Sequence, residues 1–184
     1  MLMGARLAGA HLSRADLRDA QLTYAMLRGA TLVDATLDRA DAERASFVDA
    51  ELRGASLVGT LLFNAKLVGA DLVGATLARA TLNDADVRRA DLRKAILVEA
   101  SLAAADLQSV DLRGADLQRA KLWRTKFEHA QLNGANLRDA EYTVDTIWPD
   151  GFDPSAHGAV LVDAPGPDAP RVVPLILHGW WGSR

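Results

Sequence analysis

The sequence predicts an all-β fold, a solenoid wound from five-residue blocks, and three observations predict it. Leucine recurs every fifth residue from Leu2 to Leu137, alanine stands two residues before nearly every one of those leucines, and every glycine before Ala140 falls at one position of the block. Residues 1–140 are read as the solenoid, 141–162 as a C-terminal capping segment, and 163–184 as a Pro- and Asp-rich linker with an apolar tail.

From Met1 to Ala140 the chain divides into 28 blocks without insertion or deletion. The second residue of a block is Leu except at Ala42, Phe47, Val87 and Phe127, and the fifth is Ala except at Thr60, Val110 and Thr125. A period of five suits neither regular structure. On an α-helix successive leucines would advance by about 140° and spiral round the cylinder; in a flat strand they would alternate between faces. A bend of roughly a right angle per block removes the conflict: four blocks close a square coil with every Leu and Ala inward, and stacked coils share a continuous core.

Ala, Leu and Arg are strong helix formers and argue the other way. The glycines decide against them. All nine in the repeats (Gly4, Gly9, Gly29, Gly54, Gly59, Gly69, Gly74, Gly114 and Gly134) occupy the fourth position of a block, where a turn needs a permissive backbone. The first position favours Asp, Asn, Ser and Thr, whose side chains hydrogen-bond to nearby backbone and stabilise bends.

The pattern in Ala70-Asp71-Leu72-Val73-Gly74 and Ala115-Asp116-Leu117-Gln118-Arg119 resembles the pentapeptide repeat family. The resemblance implies a right-handed quadrilateral β-helix with four blocks per coil, Leu and the preceding small residue inward and the other three positions toward solvent. Four blocks per coil give about seven coils over residues 1–140, a rod roughly 34 Å tall at a strand spacing of about 4.8 Å. Each fully buried Leu contributes on the order of 1.5–3 kcal/mol before backbone entropy is subtracted. Ala42 and Phe47, in neighbouring blocks, are expected to compensate in volume.

All six prolines lie beyond Ala140. Proline cannot donate to a ladder, so regular pairing is expected to stop near there. The segment Thr146-Ile147-Trp148-Pro149-Asp150-Gly151-Phe152-Asp153-Pro154 resembles the closing segment of many bacterial family members, with Trp148 and Phe152 as capping residues over the open core. Beyond Asp163, the apolar Val172 to Leu177 with Trp180 and Trp181 could dock back, join a partner or trail. Met1 and Leu2 are already in register, so the first coil is expected either to be covered or to continue longer sequence.

Function is written less plainly. The four histidines are isolated, cysteine is absent, and no nucleophile elbow, phosphate loop or dinucleotide fingerprint occurs; the reading is not an enzyme, with no cofactor and no metal. Asp71, Asp91 and Asp111 should stack as a ladder, read as turn-stabilising carboxylates in preference to a cation site. No signal peptide or run of about 20 apolar residues is seen, and the expected compartment is the cytoplasm.

Protection of DNA gyrase by imitation of duplex DNA is a function the family resemblance brings with it, and it needs a negative surface. Residues 1–140 hold 19 Lys and Arg against 18 Asp and Glu, so topoisomerase protection is the alternative rather than the leading reading. Direct nucleic acid binding is not expected either, for want of a basic stripe. Outward apolar residues Val48, Val58, Leu61, Phe63, Val68 and Val73 form a girdle in the middle coils, a signature of protein contact. The leading expectation is a non-enzymatic interaction or scaffold protein whose partner is another protein, with a homodimer also open.

Overall fold

The computed structural model describes residues 1–162; the apolar tail read from the sequence lies outside them. Within each block the fifth-position N–H donates to the second-position carbonyl, as from Ala70 to Leu67 at 3.0 Å. The fourth residue is left-handed in all 28 blocks, from Arg44 at φ 55° to Gly134 at φ 71°. This is the signature of a type II turn, which requires positive φ at its third residue. Nine of these residues are the glycines noted above; the other nineteen carry side chains, Arg79, Glu99 and Ala104 among them. A left-handed L-residue costs roughly 1–2 kcal/mol, so the fold accepts local strain at most corners.

Between coils the backbone bonds repeat with equal regularity. The first-position N–H donates to the fifth-position carbonyl one coil back (Met26 to Ala5, 2.9 Å), the second-position N–H to the first-position carbonyl one coil on (Leu7 to Met26, 2.8 Å), and the fourth to the third (Gly9 to Arg28, 2.9 Å). Parallel pairs twenty residues apart run from Arg6 and Met26 through Asp116 and Asn136 to Lys121 and Glu141. Each coil therefore has four sides. We number them by their first-position residues: side one carries Gln21, Asp41, Leu61, Thr81, Ser101 and Lys121, and sides two, three and four follow at steps of five.

Inside, the Leu and Ala columns are buried from Leu22 onward, with Ala42 and Phe47 both fully enclosed. Thr60 and Thr125 replace Ala at the fifth position without leaving an orphan hydroxyl: they donate to the carbonyls of Leu37 at 2.8 Å and Leu102 at 2.9 Å. In the first coil Leu2, Leu7, Leu12 and Leu17 are only partly buried. Among the described residues no helix is long and apolar enough to cross a membrane.

Pairing continues past Ala140, further than the prolines suggested. Strand β1 (Glu141–Tyr142) pairs in parallel with β2 (Val160–Leu161), and Ile147 pairs with Lys126. The first block of this layer, Glu141 to Thr146, has six residues, and Thr146 closes it by accepting from the N–H of Arg124 at 3.1 Å and donating to the Leu122 carbonyl at 2.8 Å. Pro149 follows Ile147 and Trp148 at a third position, whose N–H the ladder never uses. That is why a proline fits there. Beyond it the coil is irregular, with a 3-10 turn at Ser155–His157 and left-handed Gly158.

Candidate interaction surface

The third-position N–H takes no part in the ladder, so every block presents a backbone donor at its surface. First-position carboxylates answer it. Asp16, Asp41, Asp71, Asp86, Asp91, Asp106, Asp111 and Asp116 each accept from the N–H two residues on, and Asn136 does the same with its amide oxygen. Asp38 and Asn83 supply the same acceptor from the coil below, to Val58 at 3.0 Å and Ala103 at 3.1 Å.

On side three Asp71, Asp91 and Asp111 pair in sequence along the rod. Their carboxylates face Arg53, Arg93 and Arg113, at 2.5, 2.6 and 2.6 Å. Arg93 also reaches Asp111 at 3.7 Å, linking two coils. The side-chain hydrogen bond from its arginine holds the carboxyl of Asp91 below the usual range, and the same cause acts on Asp111 and, on side two, on Asp86 beside Arg88. Asp16, bonded by Arg18, falls to about 2. Asp84 moves the other way because burial disfavours its charge. The strip is thus a charge-compensated turn lattice, and among the described residues no group of His, Cys, Asp or Glu is placed to hold a metal ion.

The six girdle residues lie on all four sides: Leu61 and Phe63 on side one, Val48 and Val68 on side two, Val73 on side three and Val58 on side four. Leu61 is 41% exposed. Phe63 and the four valines are half-buried. Ile96, on side four, also stands at a first position where polar residues are usual and is as exposed as Leu61, although it lies outside the girdle.

At the C-terminal end Trp148 stacks on Phe127 at 4.8 Å with an interplanar angle of 7°. Phe152 lies on Trp148 at 5.3 Å, His157 on Phe152 at 4.5 Å, and Tyr142 meets Trp148 edge-on at 5.6 Å. Trp148 occupies the second position above Phe127, so the aromatic column continues the leucine column with larger side chains. A second tryptophan was not singled out by sequence: Trp123, at an outward position, is buried, with the Lys121 ammonium 5.2 Å from its ring centre.

The model of the pentapeptide repeats matches the chain in eight copies, over residues 2–39, 27–62, 55–93 and 88–124. The chain belongs to the pentapeptide repeat family. Among solved pentapeptide repeat structures, HetL of the cyanobacterium Nostoc, involved in heterocyst differentiation regulation, is 30% identical over 84% of this chain and 80% of its own, with a TM-score of 0.40. Rfr23 from the cyanobacterium Cyanothece is also 30% identical; the match covers 53% of this chain and 63% of that one, with a TM-score of 0.40. The plasmid-mediated fluoroquinolone resistance protein QnrB1 is 17% identical over 80% of this chain and 86% of its own, with a TM-score of 0.53, a likeness of fold. None of the curated proteins matches the chain.

Proposed function

We propose that this pentapeptide repeat protein is a non-enzymatic interaction or scaffold protein of the cytoplasm, a right-handed quadrilateral rod of about seven coils whose surface recognises another protein. The observation that carries the reading is Leu61. It stands 41% exposed on side one, whose other first positions from Gln21 to Lys121 are all polar, beside half-buried Phe63. Desolvating such a step favours association, while the paired Arg and Asp around the rod add little energy and set register. Replacing Leu61 with Asp and Phe63 with Ser tests it. The expected result is an unchanged thermal midpoint with lost self-association in light scattering or lost partner capture; unchanged mass and unchanged captured proteins would refute the reading.

Topoisomerase protection is the competing reading, supported by the fold likeness to QnrB1. The near balance of charge over residues 1–140 opposes it, because imitation of DNA requires a polyanionic face. The expected outcome of a supercoiling assay is no inhibition or protection of gyrase at micromolar protein. Inhibition abolished by charge reversal on one side would reverse the order of the two readings.

A further inference from the structure

The two ends of the rod differ. At one end Trp148 and Phe152 close the leucine column above Phe127, whereas Leu2, Leu7, Leu12 and Leu17 of the first coil are only partly buried. The ladder determines what that first coil offers. A first-position residue directs both its N–H and its carbonyl toward the coil before it, as Met26 bonds to Ala5 and to Leu7. In the first coil the N–H and C=O of Arg6, His11 and Asp16 have no backbone partner among the described residues. Unpaired edges of this kind are templates for association.

Two backbone groups of one residue facing the same way are what an antiparallel hydrogen-bonded pair requires, because each residue exchanges both bonds with the one opposite. Turning a second copy end for end about a two-fold axis makes the facing strands antiparallel, and coils of one hand keep an even gap along the whole edge. With the axis through His11, that residue faces the partner's His11, and Arg6 faces the partner's Asp16. Second positions then meet fifth positions. Leu7, Leu12 and Leu17 lie opposite the partner's Ala15, Ala10 and Ala5, large against small. Residues 2–20 of each copy are covered, and only Met1, which is fully exposed, must swing aside. Sliding one block outward would set Arg6 against the partner's His11 and leave a quarter of the coil bare; sliding one block inward would superpose the first blocks.

Charge selects the same register. The Asp16 side chain is 59% exposed and bonded by Arg18. Asp111 shows that such a carboxylate takes a second guanidinium, with Arg113 at 2.6 Å and Arg93 at 3.7 Å. The other charges of the edge, Arg14, Arg18 and Asp19, would face the partner's Ala8, Gly4 and Met3, so no like charges are opposed. We propose that the 184-residue chain pairs head to head with a second copy through its first coil, in an isologous contact that sets Arg6 against the partner's Asp16. This self-complementarity of bonds and charge favours a second copy over an unrelated strand. Leu61 lies three coils away, so the contact does not rest on the partner reading for that surface.

Because the chain has no cysteine, a single introduced thiol reports without background. In the full chain, His11→Cys should be joined to dimer mass by a short bis-maleimide, while Gln131→Cys, on the same side at the far end, should remain monomeric. Equal joining at the two positions, or none at the first, would overturn the proposal. Charge exchange gives a second measurement. First positions elsewhere carry both Asp86 and Lys66, so Arg6→Asp and Asp16→Arg should each leave the fold intact. Either variant alone opposes like charges twice and should weaken self-association about tenfold or more in sedimentation. An equimolar mixture of the two restores both opposite-charge pairs and should recover the dimer. No weakening in the single variants, or no recovery in the mixture, would also overturn it.

Discussion

The repeats and the closing layer build the same column by different means. Along residues 1–120 every layer repeats one backbone pattern, and Leu with Ala suffices because each layer is enclosed by the one above. From Glu141 the pattern loosens to a six-residue block and an irregular return, and the column is continued by Trp148, Phe152 and His157 stacked from Phe127. Where lattice regularity ends, side-chain volume and aromatic contact replace it. The interior is uniform and redundant; the end depends on a few large rings.

That contrast can be broken most sharply at Phe127. Phe127→Ala empties a fully buried site and removes the surface on which Trp148 lies, and the expected loss is about 3–5 kcal/mol, toward the upper part of what Leu97→Ala in the middle of the rod should cost at about 2–5 kcal/mol. Urea unfolding of the two variants side by side measures it. A larger loss for Leu97→Ala would mean that the ring stack adds nothing beyond ordinary burial.

Acid should act on the repeats more than on the end. The carboxyls of Asp86, Asp91 and Asp111 are lowered by their arginines, below an unfolded value of about 3.9. Their contribution is therefore complete above that value and is lost as pH falls through the folded pKa. The thermal midpoint should be level above about pH 5 and decline below about pH 4, with a shallower decline in Asp91→Asn with Asp111→Asn. Equal slopes in parent and variant would show that the strip does not couple to folding.

The smallest effects lie at the corners. Gly74 has φ +67° with open space where a Cβ would stand, so Gly74→Ala isolates the left-handed backbone and should cost about 1 kcal/mol. Ala104, at φ 58°, offers the reverse experiment: Ala104→Gly should gain a fraction of that, because glycine also loses more freedom on folding. Thermal midpoints of the two variants should move in opposite directions.

Much of this fold was legible because one period governs it. The glycines at the fourth position announced the left-handed corner although two thirds of those corners carry other residues, and the first-position aspartates announced turn stabilisation. The donor they serve, the third-position N–H, was not legible, because it follows only from the ladder's full bond pattern. The extra residue in Glu141 to Thr146 was hidden because Thr143 and Thr146 carry no leucine or alanine to mark the register. Leu61 was conspicuous by its column. Ile96 was equally so and was passed over, while the burial of Trp123 could not be read from an outward position at all.

The twenty-residue spacing of paired residues gives each block a compass bearing as well as a height. Deleting a whole coil shortens the rod and leaves every downstream side chain on its original side. Deleting a single block conserves each turn and each interior leucine, yet swings everything beyond it through a quarter revolution, carrying Ile96 from the side it shares with Val58 to the one beside it. A lineage that gains or loses blocks can therefore redraw its surface without touching its interior, and two relatives with identical blocks in a different count present different faces to the same partner.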